Sequence, residues 1–534
     1  MRNWQVALYL GLLVACPLSG QLFSAQTASG KSATGLTLTE AIQSTLENHP
    51  VLRAQEVQVE FRRGQQEQFA GQFDSLIEGG VSQNRSHTPL TTLEQQQDEA
   101  AGIFGVAEVA NVSKSGVSYS RLFRSGISVS SGMQLRRNID NITGIGGINT
   151  STAGLLISIP LLRGRGAKAV AAQENAARTE VRATLYDFNQ LIAQLMLNTA
   201  TSYWKLVAAR KNVDITRAAE TRAQSYLDNV RELVAADHVP RNDLNEVMAN
   251  QAQATSNRIA AEQQRIAAEA QLALDMGRDG AQVLGGLASP ADDFPNAGDG
   301  PLLYANAAEV QYYFEQALDN RADYLAARAR VSEQHILTVS ARNGLLPQIN
   351  LNVGSGYSGL EEGRRAGSFF TSTFSGVTAP DATAGITYTF PGSNQTAKGL
   401  LRQANATERQ AELQKDDLER TIGAEVAVAV QSVRNAVLQV EKARESVASF
   451  ELALSGEREK YRGGIGSIVD ILTVEDKLTN AMAAQVQTEL GYALALAQFR
   501  FSTGTLAAGG RATQNISGDI FFTLPFTGPP QMKP

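Results

Sequence analysis

The residues able to do chemistry in this chain are few and far apart. The four histidines, His49, His87, His238 and His335, show no metal-ligand spacing. The one cysteine, Cys16, excludes an intrachain disulfide and any cysteine-based zinc site. No Gly-x-Ser-x-Gly, Walker loop, dinucleotide fingerprint or His-Glu-x-x-His occurs. No enzyme activity, cofactor or metal is expected. Two acidic residues instead sit just past breaks in long helical patterns: Asp243 after the break at 236–242, and Asp470 after the one at 463–467. An aspartate near a helix start stabilises the helix dipole.

The elements that would position these residues follow from the rest of the chain. Its 534 residues carry a formal charge of −6, which argues against a nucleic-acid partner, since that needs a concentrated basic surface. Hydrophobic residues make up 43%, too many for a disordered chain. Arg2 and the apolar stretch from Trp4 to Ala15 form a secretory signal, too short to span a bilayer. Cys16 closes that stretch in Leu13-Val14-Ala15-Cys16, which resembles the bacterial lipobox; an acyl chain on Cys16 would anchor the mature end in lipid. The competing reading is cleavage near Ala25, with Cys16 discarded. Beyond this segment no run of 18 apolar residues occurs, so no transmembrane helix is expected.

The remainder reads as a duplication. Leu46-Glu47-Asn48-His49-Pro50 is echoed by Leu318-Asp319-Asn320-Arg321-Ala322, and the 154–160 segment by 385–391. We assign residues 1–16 to the signal, 35–276 to the first repeat, 277–304 to a linker, 305–508 to the second repeat and 509–534 to a tail. Each repeat predicts one long helix, at 167–237 and 396–461, with a heptad seam. Val181, Leu185, Phe188, Ile192 and Leu195 mark the first seam; Val426, Val430, Val433, Val437, Val440, Val447 and Leu454 mark the second. Shorter helices at 35–72 and 239–276, and at 305–345 and 467–502, add up to about the length of their long neighbours. Each repeat therefore makes two parallel rods.

Between the first short helix and the long helix the period changes to two. Ile349, Leu351, Val353 and Tyr357 alternate with small polar residues, as do Ile386, Tyr388 and Phe390. In the first repeat Ile127, Val129, Met133 and Leu135 alternate, and so do Leu155, Ile157 and Ile159. One apolar and one polar face fits a transmembrane barrel strand, or a sheet packed on soluble helices; the export signal favours the barrel.

In order and length these elements resemble the TolC family of outer-membrane efflux and secretion channels. The resemblance spans about residues 35–508. It rests on Leu38-Thr39-Glu40-Ala41 with Asn48-His49-Pro50, on the Ile159-Pro160 junction running to Gly166, and on Tyr461-Arg-Gly-Gly-Ile-Gly-Ser-Ile-Val-Asp470. It implies a mixed, mostly α fold: a homotrimer whose protomers each give four strands to a shared 12-stranded barrel and four rods to a periplasmic coiled-coil tunnel. The extra strand-like segments at 116–123 and 126–136 depart from that pattern. They form either an extracellular hairpin or additional strands, and loops 88–115 and 358–382 face outside.

The resemblance further implies a passive exit duct. A periplasmic adaptor and an inner-membrane transporter would be its partners, and outer-membrane lipid would surround the barrel. Asp243 and Asp470 would line a gate that Tyr461 helps to lock. The family's locking arginine falls on Gly466, so Arg462 is the candidate replacement. Six aspartates around one axis would concentrate cations. Val239, Pro240, Gly463, Gly464 and Ile465 are the expected adaptor-docking tips. The alternative is a coiled-coil envelope lipoprotein or adhesin, which needs no lipid-facing strands.

Overall fold

The computed structural model describes residues 35–100, 102, 105–141, 146–236, 241–298, 305–363, 365, 367–374, 376–507 and 518–524. The chain divides into two units, Met1–Gly35 and Leu36–Pro534, and the architecture below is that of the second. Cys16 and the export signal lie outside the described residues.

Thr37 and Glu40 start the first helix with a reciprocal cap: Glu40 N–H donates to Thr37 Oγ1 at 3.2 Å, and Thr37 N–H to Glu40 Oε2 at 3.1 Å. The expected single helix over 35–72 is two, α1 (Leu38–Asn48) and α2 (Pro50–Ala70). Pro50 is the reason. Its ring forces His49 out of the helical region, to φ −66° and ψ 122°. The second repeat breaks at the same place, between α8 (Ala307–Asn320) and α9 (Ala322–Asn343), although the residue there is Arg321. Arg321 is buried and held by ion pairs to Asp323 and Glu425.

The long helices are close to expectation. A short turn α4 (Ala167–Val170) precedes α5 (Ala172–Ala235), and α11 spans Gln395–Arg462. Their 64 and 68 residues correspond to about 95–100 Å. α6 (Arg241–Asp275) and α12 (Ile468–Ser502) return alongside them. In the second seam Val426, Val430, Val433, Val440, Val447 and Leu454 are buried. In the first, Ile192 and Leu195 are buried, but Leu185 is 38% exposed. Near the sheet the rods lie side by side in the order α2, α5, α9, α11; at the far end the order is α6, α5, α12, α11.

Among the described residues six strands form one antiparallel meander: β1 (Leu76–Pro89), β2 (Ala107–Leu122), β3 (Ser128–Ile139), β4 (Ile148–Pro160), β5 (Gln348–Glu362) and β6 (Val377–Thr389). A helix α3 (Thr92–Ala100) lies between β1 and β2, and a short α10 (Ser368–Thr371) between β5 and β6. The expected four strands per chain are therefore corrected to six. β2 and β3 pair along their whole length with β1 and β4. Their turn, at 123–127, lies at the rod end of the sheet, so these segments are added strands of the sheet.

That turn is fastened to the helices. Arg124 donates to both oxygens of Glu174 on α5, at 2.7 and 2.8 Å, and lies over the Phe73 ring at 4.7 Å. Gly166 N–H donates to Ser125 O at 2.9 Å. Gly126, at φ +91°, lies so close to the Gly164 carbonyl that a Cβ would be 2.1 Å from it.

Register fixes the two faces of the sheet. One transverse row reads Gly79, Val117, Met133, Ala153, Tyr357, Pro380, with Val129, Ile157, Val353 and Ile386 on the same side. The adjacent row, on the opposite side, reads Glu78, Ser118, Gly132, Gly154, Gly356, Asp381; another there begins Ser82, Lys114, Arg136, Thr150. In the half nearer the rods one face is apolar and the other is mostly polar or bare backbone; farther from the rods the first face carries Arg85, Asn111, Arg137, Asn149 and Glu361. α10 packs on the apolar side, where Ser372 O lies so near Gly359 that a Cβ there would be 2.0 Å away.

The stretch read as a linker is packed. It holds α7 (Gly280–Leu284), bridges Leu36 to Pro290, and sets Phe294 against Trp204. Asp292 Oδ2 accepts from Leu38 N at 2.6 Å and from the Tyr203 hydroxyl at 2.9 Å. Part of the tail joins the same core: Phe521 is buried, and Phe522 meets the Trp204 ring edge-on. Burial pushes the Tyr203 phenol well above its ordinary pKa.

Candidate functional site

The end of the rods remote from the sheet gathers most of the candidate residues. α11 ends on Gly463 and Gly464. Ile465 N–H donates to Lys460 O at 3.0 Å and Gly464 N–H to Tyr461 O at 3.0 Å, the paired bonds of a Schellman cap. Gly464 takes φ +73°, a left-handed conformation that glycine adopts without a Cβ penalty. Ile465 then stands at the very tip, 87% exposed. A Cβ on Gly466 would lie 3.1 Å from Tyr461 N, so this turn leaves little room for any side chain there, arginine included.

Asp470 is at the third position of α12. Its Oδ2 accepts from Ser467 N at 3.2 Å, while Ser467 Oγ accepts from Val469 N at 3.1 Å. In this conformation Asp470 is exposed and works as a helix cap. Asp243 is half-buried in the first turn of α6, again where a helix favours negative charge. Tyr461 packs against the apolar tip cluster of Leu227, Val247, Leu454, Ile471 and Leu472. Arg462 is exposed in the last turn of α11. Val239 and Pro240 lie outside the described residues.

A stronger constellation lies just inside the tip, and sequence reasoning missed it. Glu475 of α12, its side chain 9% exposed, accepts from Arg222 of α5 at 2.8 Å, Arg458 of α11 at 2.6 Å and the Tyr226 hydroxyl of α5 at 3.1 Å. Arg458 also donates to Tyr226 Oη at 3.0 Å, and Arg222 to Thr479 Oγ1 at 3.3 Å. Asn250 of α6 reaches Asp476 at 3.4 Å. The cluster staples the α5–α6 hairpin to the α11–α12 hairpin. Burial, and then the Glu475 carboxylate, push the Tyr226 phenol up. Burial works against the Arg458 charge, but Tyr226 and Glu475 hold its pKa above the ordinary value. No local signal announces this site: Glu475 looks like any charged position of a coiled coil, and Arg222 is 253 residues away.

A second charged cluster lies on the rods nearer the sheet. Glu180 of α5 faces Arg62 and Arg330 at 3.7 Å each, and Arg330 also pairs with Asp187. Burial, followed by Glu180, pushes the neighbouring Glu333 carboxyl up to about 7. Among the described residues no group of histidine, cysteine and acidic side chains is arranged to hold a metal ion, and no helix is long and apolar enough to cross a membrane.

The two-faced sheet continued by four long rods is a fold shared with solved outer-membrane channels. The structure of the Campylobacter jejuni CmeC outer membrane channel covers 93% of this chain and 92% of its own, at 16% identity and TM-score 0.60. The open state of the Neisseria gonorrhoeae MtrE outer membrane channel covers 90% and 91%, also at 16% and 0.60. CusC, solved in work on folding and transmembrane channel formation, covers 91% and 96% at 16% identity and TM-score 0.63. No curated protein matches the chain by sequence. Residues 313–505 match the family described as outer membrane efflux protein. The match is to that segment, and the whole chain has the fold of those channels.

Proposed function

We propose that this protein is a passive outer-membrane exit duct of an efflux pump or secretion system. Three copies would build it, with the rods as a periplasmic tunnel. The observation that carries the reading is the sheet: an apolar face backed by a polar one, continuous with rods of about 100 Å. Exposed Tyr388 at the rod end and Phe370 and Phe374 at the other end are placed as interfacial aromatics would be. A coiled-coil spacer or adhesin has no use for such a sheet.

In this reading the tip is the gate. The Arg222–Tyr226–Arg458–Glu475 staple holds the two hairpins closed, and docking of an adaptor and an inner-membrane transporter shifts that packing. Asp243 and Asp470 give the entrance its negative charge and select cations. Ile465, with Val239, Pro240, Gly463 and Gly464, meets the adaptor. Cys16, acylated, would add a lipid anchor to the barrel.

The test is reconstitution. The purified protein should run as a heat-dissociable trimer and conduct in planar bilayers, with cation preference reduced in Asp243→Ala, Asp470→Ala. A protein that inserts no pore is not a duct. An unchanged reversal potential in the double variant leaves the two aspartates as helix caps only.

A further inference from the structure

Two outer sheet edges stand bare. Among the described residues β1 pairs only with β2, and β6 only with β5, and both edge strands are exposed almost throughout. In lipid an unpaired strand edge is not tolerated, so these edges must meet something. We infer that in the assembled duct each copy contributes all six strands to the barrel wall, β1 pairing with β6 of the next copy, so that three copies close an eighteen-stranded barrel. The number eighteen rests on the trimeric reading above; the six-strand contribution does not.

Two observations carry the inference. The first is order. The rods lie α2, α5, α9, α11, and the chain enters β1 from α2, leaves β4 into α5, enters β5 from α9 and leaves β6 into α11. Helix layer and sheet therefore share the same two margins, α2 with β1 and α11 with β6, and the β2–β3 hairpin fills the arc between α2 and α5.

The second is anchorage. Arg124 and Ser125 tie the β2–β3 turn to α5 and to Gly166, and Gly126 is pressed against Gly164. Removing the hairpin from the wall would break the β1–β2 and β3–β4 ladders as well as these contacts.

The occupant of the edges is a second copy of this chain. β1 runs away from the rods and β6 returns toward them, so the seam is antiparallel like every other pair. Head-to-tail pairing of unlike edges closes into a ring. Apolar Ile77 and Val81 on β1 then continue the apolar face that carries Ile386 on β6. The backbone diameter of the closed barrel is about 36 Å, against about 24 Å for twelve strands.

Cryo-electron microscopy of the full-length protein in lipid nanodiscs tests this directly. Three copies around eighteen strands, with β1 beside a neighbour's β6, is the expected result. Three copies around twelve strands, with residues 107–139 outside the wall, would overturn the inference while leaving the duct standing. A ring of another copy number, each giving six strands, would overturn the trimeric reading and the number eighteen but uphold the six-strand contribution. A chain that closes β1 on its own β6 would overturn both. As a second measurement, Ser82→Cys in a Cys16→Ser background is combined in turn with a cysteine at each of residues 377–389. One register should give a ladder of disulfide-linked oligomers on non-reducing gels; no ladder at any position would refute the seam.

Discussion

Glu475→Gln keeps the shape of the side chain at the tip staple and deletes its charge. The carboxylate is 9% exposed and sits between two guanidinium groups at 2.6 and 2.8 Å. The amide keeps one acceptor oxygen but turns an NH2 toward an arginine donor, so one charge-assisted bond becomes a donor–donor contact. Breaking a buried pair costs about 3–5 kcal/mol. Here Arg222 and Arg458 are 29% and 40% exposed, and each recovers part of its hydration, which lowers the expected cost to about 2–3 kcal/mol. Local opening of the tip should then become roughly 30- to 150-fold more frequent. Hydrogen exchange of the amides near Tyr226 and Arg458 reads that directly, with amides in the core around Trp204 as the unchanged reference. Closed-state conductance in planar bilayers should rise in parallel. Arg222→Ala combined with Glu475→Gln should cost less than the two changes added, because they remove the same contact. Unchanged tip protection, or strict additivity, would refute the claim that this cluster holds the hairpins together.

Further outcomes follow from other contacts. Arg124→Ala should speed exchange of the Gly166 amide, whose partner Ser125 belongs to the turn Arg124 fastens, while the tip stays unchanged. Glu333, with its carboxyl pushed up to about 7, binds a proton more readily folded than unfolded. Its stabilising contribution, at most about 3 kcal/mol, is full below about pH 4.5 and is lost as pH rises through about 7. Thermal midpoints should therefore fall from pH 5 to pH 8, and Glu333→Gln should flatten that slope. Gly464→Val should cost about 1–2 kcal/mol at the cap through its positive φ. Ile465→Ser, at an exposed apolar tip, should leave the thermal midpoint unchanged and lower export in cells. A fall in stability with Ile465→Ser would point to a structural role for that residue.

The rods, their breaks and the two-faced strands were legible in the chain because each has a local cause. A heptad seam buries Val426, Val430, Val433 and Val440 wherever the helix goes. Gly463 and Gly464 end α11 through a backbone conformation that glycine reaches without strain. Pro50 breaks a helix, yet the sequence reading carried a single helix across it, since the flanking apolar pattern runs on unbroken. At Arg321 even that signal is missing. The break there is held by ion pairs to residues up to 104 positions away.

What tertiary structure alone decided is which segments meet. Alternation in β3 and a strand-like stretch at 116–123 of β2 were visible, but their place in the sheet depends on pairing with strands whose identity no local pattern encodes. The staple at the tip is a similar case. Asp470 attracted notice by standing beside a helix start, and there it caps the helix. Glu475, five residues on, draws its role from Arg222, Tyr226 and Arg458, which only the lateral packing of α5 and α11 against α12 brings to it. Local chemistry specifies turns, caps and faces. Partners hundreds of residues apart are chosen by how whole rods pack, because the free energy of that choice is spread over the entire interface.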